Sequence, residues 1–388
     1  MILGGGISGL YTAYQLLKKN PDRHLVLIDK RDRWGGRVFT YKDEYMTVET
    51  GAGRFNDRHP LLLDLIHELH LEKKIQPSNT DSTFLGDSPY TLKTTLLKII
   101  TAAQLDPFHD LKNFSFLEYA SMLLPKEEVQ FIEDSFGYYA ELVIMNAKDA
   151  IQLMKELFLS NFYVLDGGLS QVIDALVRRL QLFPNLDMRL NETVLSIQKG
   201  YVVRTDKGVY RSPLCICTMP KDPFMKLAFS KPLRSKLQIT CAPLCRIYAT
   251  FKKPWIHQKV TSATPLRMII PYSKNTVMIS YSDHEFALFW QDVYSKGEDK
   301  LREVLLYYVE EELGIRPEIE RLKVCFWYCG VGYWNVGADS ERLAKELQNP
   351  FPGFYLCGEH YSAKHQQWME GALETSRSVC ERLEKKKV

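Results

Sequence analysis

The chain has 388 residues, 45% of them hydrophobic and 25% charged, with a net charge of +3. That is the composition of an ordinary globular protein long enough for two or three lobes, and so small a charge predicts neither nucleic-acid binding nor attachment to an acidic surface. No apolar run approaches the about 18 residues of a membrane span. The first predicted strand, Ile2-Leu3, is very short and runs into Gly4-Gly5-Gly6-Ile7-Ser8-Gly9, a G-x-G-x-x-G loop. The loop opens a helix whose apolar residues Ile7, Leu10, Tyr14 and Leu17 share one face. A second strand, Leu25–Ile28, ends at Asp29 and Lys30, with Asp29 20 residues past Gly9. In this arrangement Gly4 permits a tight turn, Gly6 lets backbone approach a pyrophosphate, Gly9 lets the helix pack closely, and the acid accepts ribose hydroxyls. The helix N-terminus turns its free N–H groups toward the phosphates. These elements together predict a dinucleotide site.

Further along, residues 90–160 show helical runs with little alternation: Leu92–Ala103, Phe116–Leu123, Lys126–Phe136 and Ala147–Leu159. A loop at Asp166-Gly167-Gly168-Leu169 leads into a helix over Ser170–Leu182. Strands follow at Val194–Ile197, Tyr201–Thr205 and Leu214–Pro220. Residues 241–345 carry strand-like runs at Arg246–Phe251, Arg267–Ile270, Thr276–Tyr281 and Val324–Cys329. One helix, Lys300–Leu313, interrupts them and is stopped by Gly314. This reads as a mixed sheet with a covering helix.

Four further motifs decide which dinucleotide is bound. Past Asp29 the chain reads Arg33-Trp34-Gly35-Gly36-Arg37, then Glu49-Thr50-Gly51-Ala52-Gly53-Arg54-Phe55. Near the end come Cys357-Gly358-Glu359 and Trp368-Met369-Glu370-Gly371-Ala372. With these motifs the sequence resembles the flavin-containing amine oxidase superfamily, which includes monoamine, polyamine and L-amino-acid oxidases and tryptophan monooxygenase. The resemblance spans the whole chain and implies FAD as cofactor. It places Gly4, Gly6, Ile7, Ser8, Gly9, Asp29, Lys30, Gly35, Gly36, Arg37, Gly51, Ala52, Gly53, Arg54, Val194, Gly358, Glu359, Trp368, Met369 and Ala372 at the cofactor. Gly358-Glu359 would sit by the ribityl-diphosphate, the backbone at Val194 by the adenine, and Met369–Ala372 would open a helix at the flavin.

The implied fold class is α/β (α+β overall). A Rossmann-type FAD-binding domain is assembled from the discontinuous segments 1–60, 161–240 and 346–388. A mixed-sheet substrate domain takes 61–89 and 241–345, and a helical subdomain takes 90–160. The implied chemistry moves a hydride from a carbon beside an amine nitrogen to the flavin, giving an imine, with oxygen reduced to hydrogen peroxide.

The residues expected to matter are positioning groups, because the cofactor carries the hard step. Arg54 resembles the arginine that clamps a substrate carboxylate in amino-acid oxidases, a task suited to a planar bidentate cation; an ion pair with a structural acid or the cofactor is the alternative. Trp368 and Tyr333 match the aromatic pair flanking the amine, with Trp334 a substitute for Tyr333; core aromatics are the alternative. Arg246 stands where the family has a lysine that favours reaction with oxygen, and Lys252 and Lys253 are too far along to replace it. It keeps the charge but cannot lose its proton; an arginine facing solvent along an edge strand is the other reading. The expected substrate is an L-amino acid or another carboxylate-bearing amine. Polyamine or monoamine oxidation, which predicts acidic pocket residues, a desaturase or dehydrogenase, and a non-oxidising flavoprotein remain open.

Gly332 occupies the position of the flavin-linking cysteine in members with a covalent cofactor, and Cys329 is off register, so noncovalent FAD is expected. The eight cysteines show no C-x-x-C spacing. They read as reduced thiols in a cytoplasmic protein, and no metal site is expected. The first residues already form the cofactor strand, so no signal peptide is expected, and Lys385-Lys386-Lys387 reads as a solvated helix end.

Overall fold

The computed structural model describes residues 1–385; Lys386 and Lys387 of the basic run, and Val388, lie outside the described residues. Ile2–Leu3 is the central strand of a five-stranded parallel sheet, in the order Phe354–Leu356, Cys215–Cys217, Ile2–Leu3, Leu25–Ile28, Leu186–Arg189. Two residues suffice there because Ile2 pairs with both Ile216 and Leu27, and both Ile2 and Leu3 are fully buried. A parallel strand covered on both faces is held by burial as well as by its ladder. Adjacent strands therefore come from the start, middle and end of the chain.

The helix Ile7–Lys19 buries Leu10, Tyr14 and Leu17 and packs beside the C-terminal helix Met369–Lys385. The Ser8 and Ser376 hydroxyls lie 2.6 Å apart between them. Gly4 has φ +115°, and a Cβ on Gly9 would fall 1.9 Å from the Gly4 carbonyl oxygen, so the turn and the close helix both exclude side chains. Glu370 accepts from the N–H groups of Leu61 and Leu62 at 3.0 Å each, capping the helix Pro60–Glu68 from the far end of the chain.

A six-stranded mixed sheet forms the second layer, in the order Ile319–Trp334, Ile239–Phe251, Thr276–Asp283, Met268–Pro271, Lys259–Thr261, Ser82–Phe84. Its first two strands are much longer than their apolar runs suggest. Thr240 and Cys241 near the start of one strand, and Gly332 opposite Cys241 near the end of the other, interrupt the pattern, and the register shifts between Ala242 and Leu244, where Gly330 lies. Arg267 is excluded from its predicted strand because its φ is +54°. The helix Glu298–Leu313 ends at Gly314 in the left-handed region as expected. A second helix, His284–Ser295, was not legible and joins it over the sheet, with Trp290 fully buried beneath.

Residues 90–160 fold as helices Leu92–Leu105, Phe116–Leu123, Lys126–Ser135, Tyr139–Val143 and Ala147–Leu159. Ser115 and Glu118 close a capping box on one of them and Asn146 caps another. Of the stretch 61–89, Ser82–Phe84 joins the mixed sheet, while Leu62, Leu65 and Ile66 pack into the core shared with Ile2, Leu10 and Leu373. Val194–Gln198 and Val202–Thr205 form a separate antiparallel sheet with Val209–Arg211. Among the described residues, no helix is long and apolar enough to cross a membrane.

Candidate functional site

One cavity of about 1500 Å³ runs from the glycine loop of the parallel sheet to the mixed sheet and the helical region. Gly4, Gly6, Ile7, Ser8, Asp29, Lys30, Gly35, Gly36, Arg37, Gly51, Ala52, Gly53, Arg54, Val194, Gly358, Glu359, Trp368, Met369 and Ala372 all border it. Gly9 stands behind them, against Gly4. The lining fits an extended diphosphate ligand. A Cβ on Gly6 would meet nothing closer than the Gly35 carbonyl oxygen at 4.0 Å, leaving backbone open to the cavity. The helix Ile7–Lys19 has no side-chain cap, so its first N–H groups remain available to an anion. Asp29 accepts from Gly5 N–H at 2.6 Å and Arg31 N–H at 2.8 Å. Each carboxylate oxygen keeps a second lone pair for a ribose hydroxyl.

Across the cavity, Arg37 bonds the Glu359 carboxylate and the Gly330 carbonyl oxygen, the latter at 2.9 Å. His360 Nε2 lies 3.1 Å from Arg37 Nη1 and 2.9 Å from Glu359 Oε1. Burial opposes the charge on Glu359, but His360, Arg37 and the Gln367 N–H hold its pKa down to about 2. Beside this group the structure corrects the expectation of reduced thiols throughout. Cys241 and Cys329 are joined in a disulfide, with Cα atoms 4.8 Å apart, and the other six cysteines are free and buried. Their separation of 88 residues carries no spacing signal; only the pairing of two long strands brings them together. Cys329 is therefore not free to link a flavin.

Arg54 borders the cavity with its guanidinium 4.8 Å from the Phe162 ring and 5.8 Å from the Trp368 ring, and it donates to the Tyr138 hydroxyl at 3.1 Å. Among the described residues, no carboxylate forms an ion pair with it. Arg246 also borders the cavity and is buried, not solvent-facing. Its Nη1 donates to the Glu49 carbonyl oxygen at 3.0 Å and its Nη2 to the Tyr281 hydroxyl at 3.1 Å. A Cβ on Gly53 would lie 3.0 Å from Nη1, so the guanidinium rests against the Gly51–Gly53 segment. Lys252 is exposed and pairs with Glu318.

Trp368 and Tyr333 both border the cavity. Trp368 packs on His59, ring centroids 4.9 Å apart, and Tyr333 is 2% exposed. Trp334 does not border it, correcting its expected place in substrate binding. The strand alternation turns it to the opposite face, where it is fully buried and its indole N–H donates to the Ser362 carbonyl oxygen at 2.8 Å. Four residues that the sequence did not single out, Tyr138, Glu141, Lys259 and Asp283, complete the far end. Burial raises the pKa of Glu141 to about 8, with Asp283 adding to the effect, and raises that of Asp283 to about 7 against two backbone N–H donors. Burial and Arg54 lower Lys259 to about 7. Glu141 is an acid inside an apolar helical run, and Asp283 closes an apolar strand; both patterns were signals. Lys259 gave none.

Comparison with known proteins agrees with this architecture. The family described as flavin containing amine oxidoreductase matches residues 7–383. The flavin-dependent L-tryptophan oxidase RebO of Lentzea aerocolonigenes is 22% identical over 99% of this chain and 97% of its own length. Coproporphyrinogen III oxidase of Staphylococcus aureus is 23% identical over 29% of this chain and 26% of its own. The structure of putrescine oxidase bound to putrescine superposes with a TM-score of 0.80 at 17% identity, covering 99% of this chain and 98% of that one. The chain belongs to the flavin-containing amine oxidoreductase family, and FAD is its cofactor.

Proposed function

We propose that the protein oxidises the carbon beside the nitrogen of a carboxylate-bearing amine, most simply an L-amino acid, with oxygen as the acceptor and FAD held noncovalently. The observation that carries this reading is Arg54, a cation in the cavity wall with a hydroxyl and aromatic rings as neighbours and, among the described residues, no acid paired to it. A partly desolvated guanidinium gains most from a ligand carboxylate, which it binds through two parallel hydrogen bonds. At neutral pH Glu141, the acid that interacts with it, does not compete strongly, because burial favours its protonated form. RebO, named as an L-tryptophan oxidase, has a substrate of this class.

Bound flavin supplies the hydride acceptor. Arg54 fixes the substrate by its carboxylate and so sets which carbon faces the cofactor. Trp368 and Tyr333 wall the amine end with apolar surface and exclude water. Arg246, against Gly53, places a fixed positive charge by the cofactor segment and so favours negative charge developing there. The protein works in the cytoplasm on this reading.

A second reading, oxidation of a polyamine, is favoured by Glu141, whose Oε2 is buried without a hydrogen-bond partner in the same cavity. The two are separated by incubating the holoenzyme in air with L-amino acids, then with putrescine and longer polyamines, and assaying for 2-oxo acid, aminoaldehyde and peroxide. A 2-oxo acid with peroxide supports the first reading; an aminoaldehyde alone supports the second.

A further inference from the structure

The Cys241–Cys329 bond differs in setting from every other cysteine in the chain. The six free thiols are buried, whereas these two residues are partly exposed and Cys329 borders the cavity. Cys241 lies opposite Gly332, and Cys329 falls where the register breaks between Ala242 and Leu244. A bulge of this kind releases a residue from the ladder and re-aims its side chain. The bond links residues 88 apart on two strands that are already paired from Ile239 to Phe251.

His360, 1% exposed, sits against both sulfurs: Nδ1 is 3.8 Å from Cys241 Sγ and Nε2 is 3.8 Å from Cys329 Sγ. Lys221 N–H donates to Nδ1 at 3.2 Å, and Nε2 lies 2.9 Å from Glu359 Oε1. Arg37 Nη1 adds a cation 3.1 Å from that nitrogen. A histidine nitrogen 3.8 Å from each sulfur, with Arg37 beside that ring, gives both sulfurs the polar, electropositive setting that favours the thiolate through which disulfide exchange proceeds. The group is also continuous with Arg37 and Glu359, which border the cavity beside the glycine loop.

We propose that Cys241 and Cys329 form a redox centre that takes electrons from an external dithiol and passes them to the flavin, giving the protein a dithiol-oxidising activity besides amine oxidation. A thiolate of the external dithiol attacks Cys329 Sγ from the cavity; the Cys241–Cys329 bond breaks, a mixed disulfide forms and Cys241 leaves as the thiolate. The second external thiol attacks the mixed disulfide and departs as an oxidised disulfide, leaving Cys241 and Cys329 as two thiols. Their S–S bond re-forms as two electrons and one proton go to oxidised flavin and the second proton goes to solvent.

The test is anaerobic addition of dithiothreitol to the yellow holoenzyme, with two readouts: loss of the oxidised-flavin colour, and the number of cysteines alkylated by iodoacetamide after denaturing quench. The expected result is bleaching of the wild-type flavin, with alkylation rising from the six free cysteines to all eight. Cys241→Ser and Cys329→Ser, loaded with FAD, should stay yellow. Wild-type protein whose opened pair has been alkylated before re-oxidation of the flavin in air should also stay yellow, a control that needs no variant to fold. A wild-type flavin that stays yellow, whether six or eight cysteines alkylate, overturns the proposal. So does bleaching at the wild-type rate in both serine variants or in the alkylated protein.

Discussion

Arg246 Nη1 donates to the carbonyl oxygen of Glu49 at 3.0 Å, joining the long strand of the mixed sheet to the segment that leads into Gly51–Gly53. The Tyr248 hydroxyl donates to the same oxygen at 2.7 Å, and the Tyr281 hydroxyl accepts from Arg246 Nη2. The guanidinium thus anchors a cavity wall as well as charging it. Arg246→Met should lower stability by about 1–3 kcal/mol, since the Tyr281 hydroxyl loses its donor and the Glu49 carbonyl oxygen keeps only Tyr248; thermal unfolding of the FAD-loaded protein measures this. Arg246→Lys should unfold closer to the wild type and should re-oxidise faster in air after reduction, as followed by stopped flow.

Arg54 should act on substrate rather than on the fold. Arg54→Met should reduce kcat/KM for a carboxylate-bearing amine by about 10- to 100-fold, the value of one or two charge-assisted hydrogen bonds. Activity on an amine lacking the carboxylate should change little. An equal loss on both substrates would remove Arg54 from carboxylate recognition.

The two tryptophans should separate. Trp334→Phe loses the bond to the Ser362 carbonyl oxygen inside a packed core and should cost about 1–3 kcal/mol of stability with KM unchanged. Trp368→Phe should move KM or kcat with a smaller change in melting temperature, because its ring borders the cavity. Steady-state kinetics beside thermal melts distinguishes them.

Glu141 should make stability fall with pH. Its carboxyl titrates at about 8 in the fold against an ordinary 4.5, chiefly because burial disfavours its charge. Between these values the unfolded chain has released a proton that the folded chain retains. The contribution is therefore complete below about 4.5 and is lost as pH rises through about 8. Glu141→Gln removes that dependence, so its gain in melting temperature over the wild type should grow from pH 5 to pH 8. A gain independent of pH would contradict this.

Much of this was legible because glycine motifs report backbone demands directly. Gly4, Gly6 and Gly9 needed no tertiary information, since a turn, an open approach and a close helix each exclude a side chain locally. The short strand Ile2–Leu3 was legible through the loop it feeds, not through its own two residues. The long strands were truncated because polar and glycine positions at their ends hide a period of two. Trp334 was misplaced because neighbouring residues on a strand point to opposite faces, and nothing at 333–334 shows which faces the cavity. Glu141 and Asp283 each interrupt an apolar run, but the Cys241–Cys329 bond and the meeting of Glu141, Lys259 and Asp283 arise from strands and helices far apart in the chain, so spacing showed neither.

The measurement that bears most directly on the central claim is anaerobic: the oxidised-flavin absorbance of the holoenzyme is followed while L-amino acids, and then polyamines, are added. Without oxygen, only the step in which substrate reduces the flavin is seen, and Arg246 cannot mask it by altering reoxidation. Bleaching by an L-amino acid, lost in Arg54→Met, is the predicted result. Bleaching by polyamines alone, or by no amine at all, would contradict it.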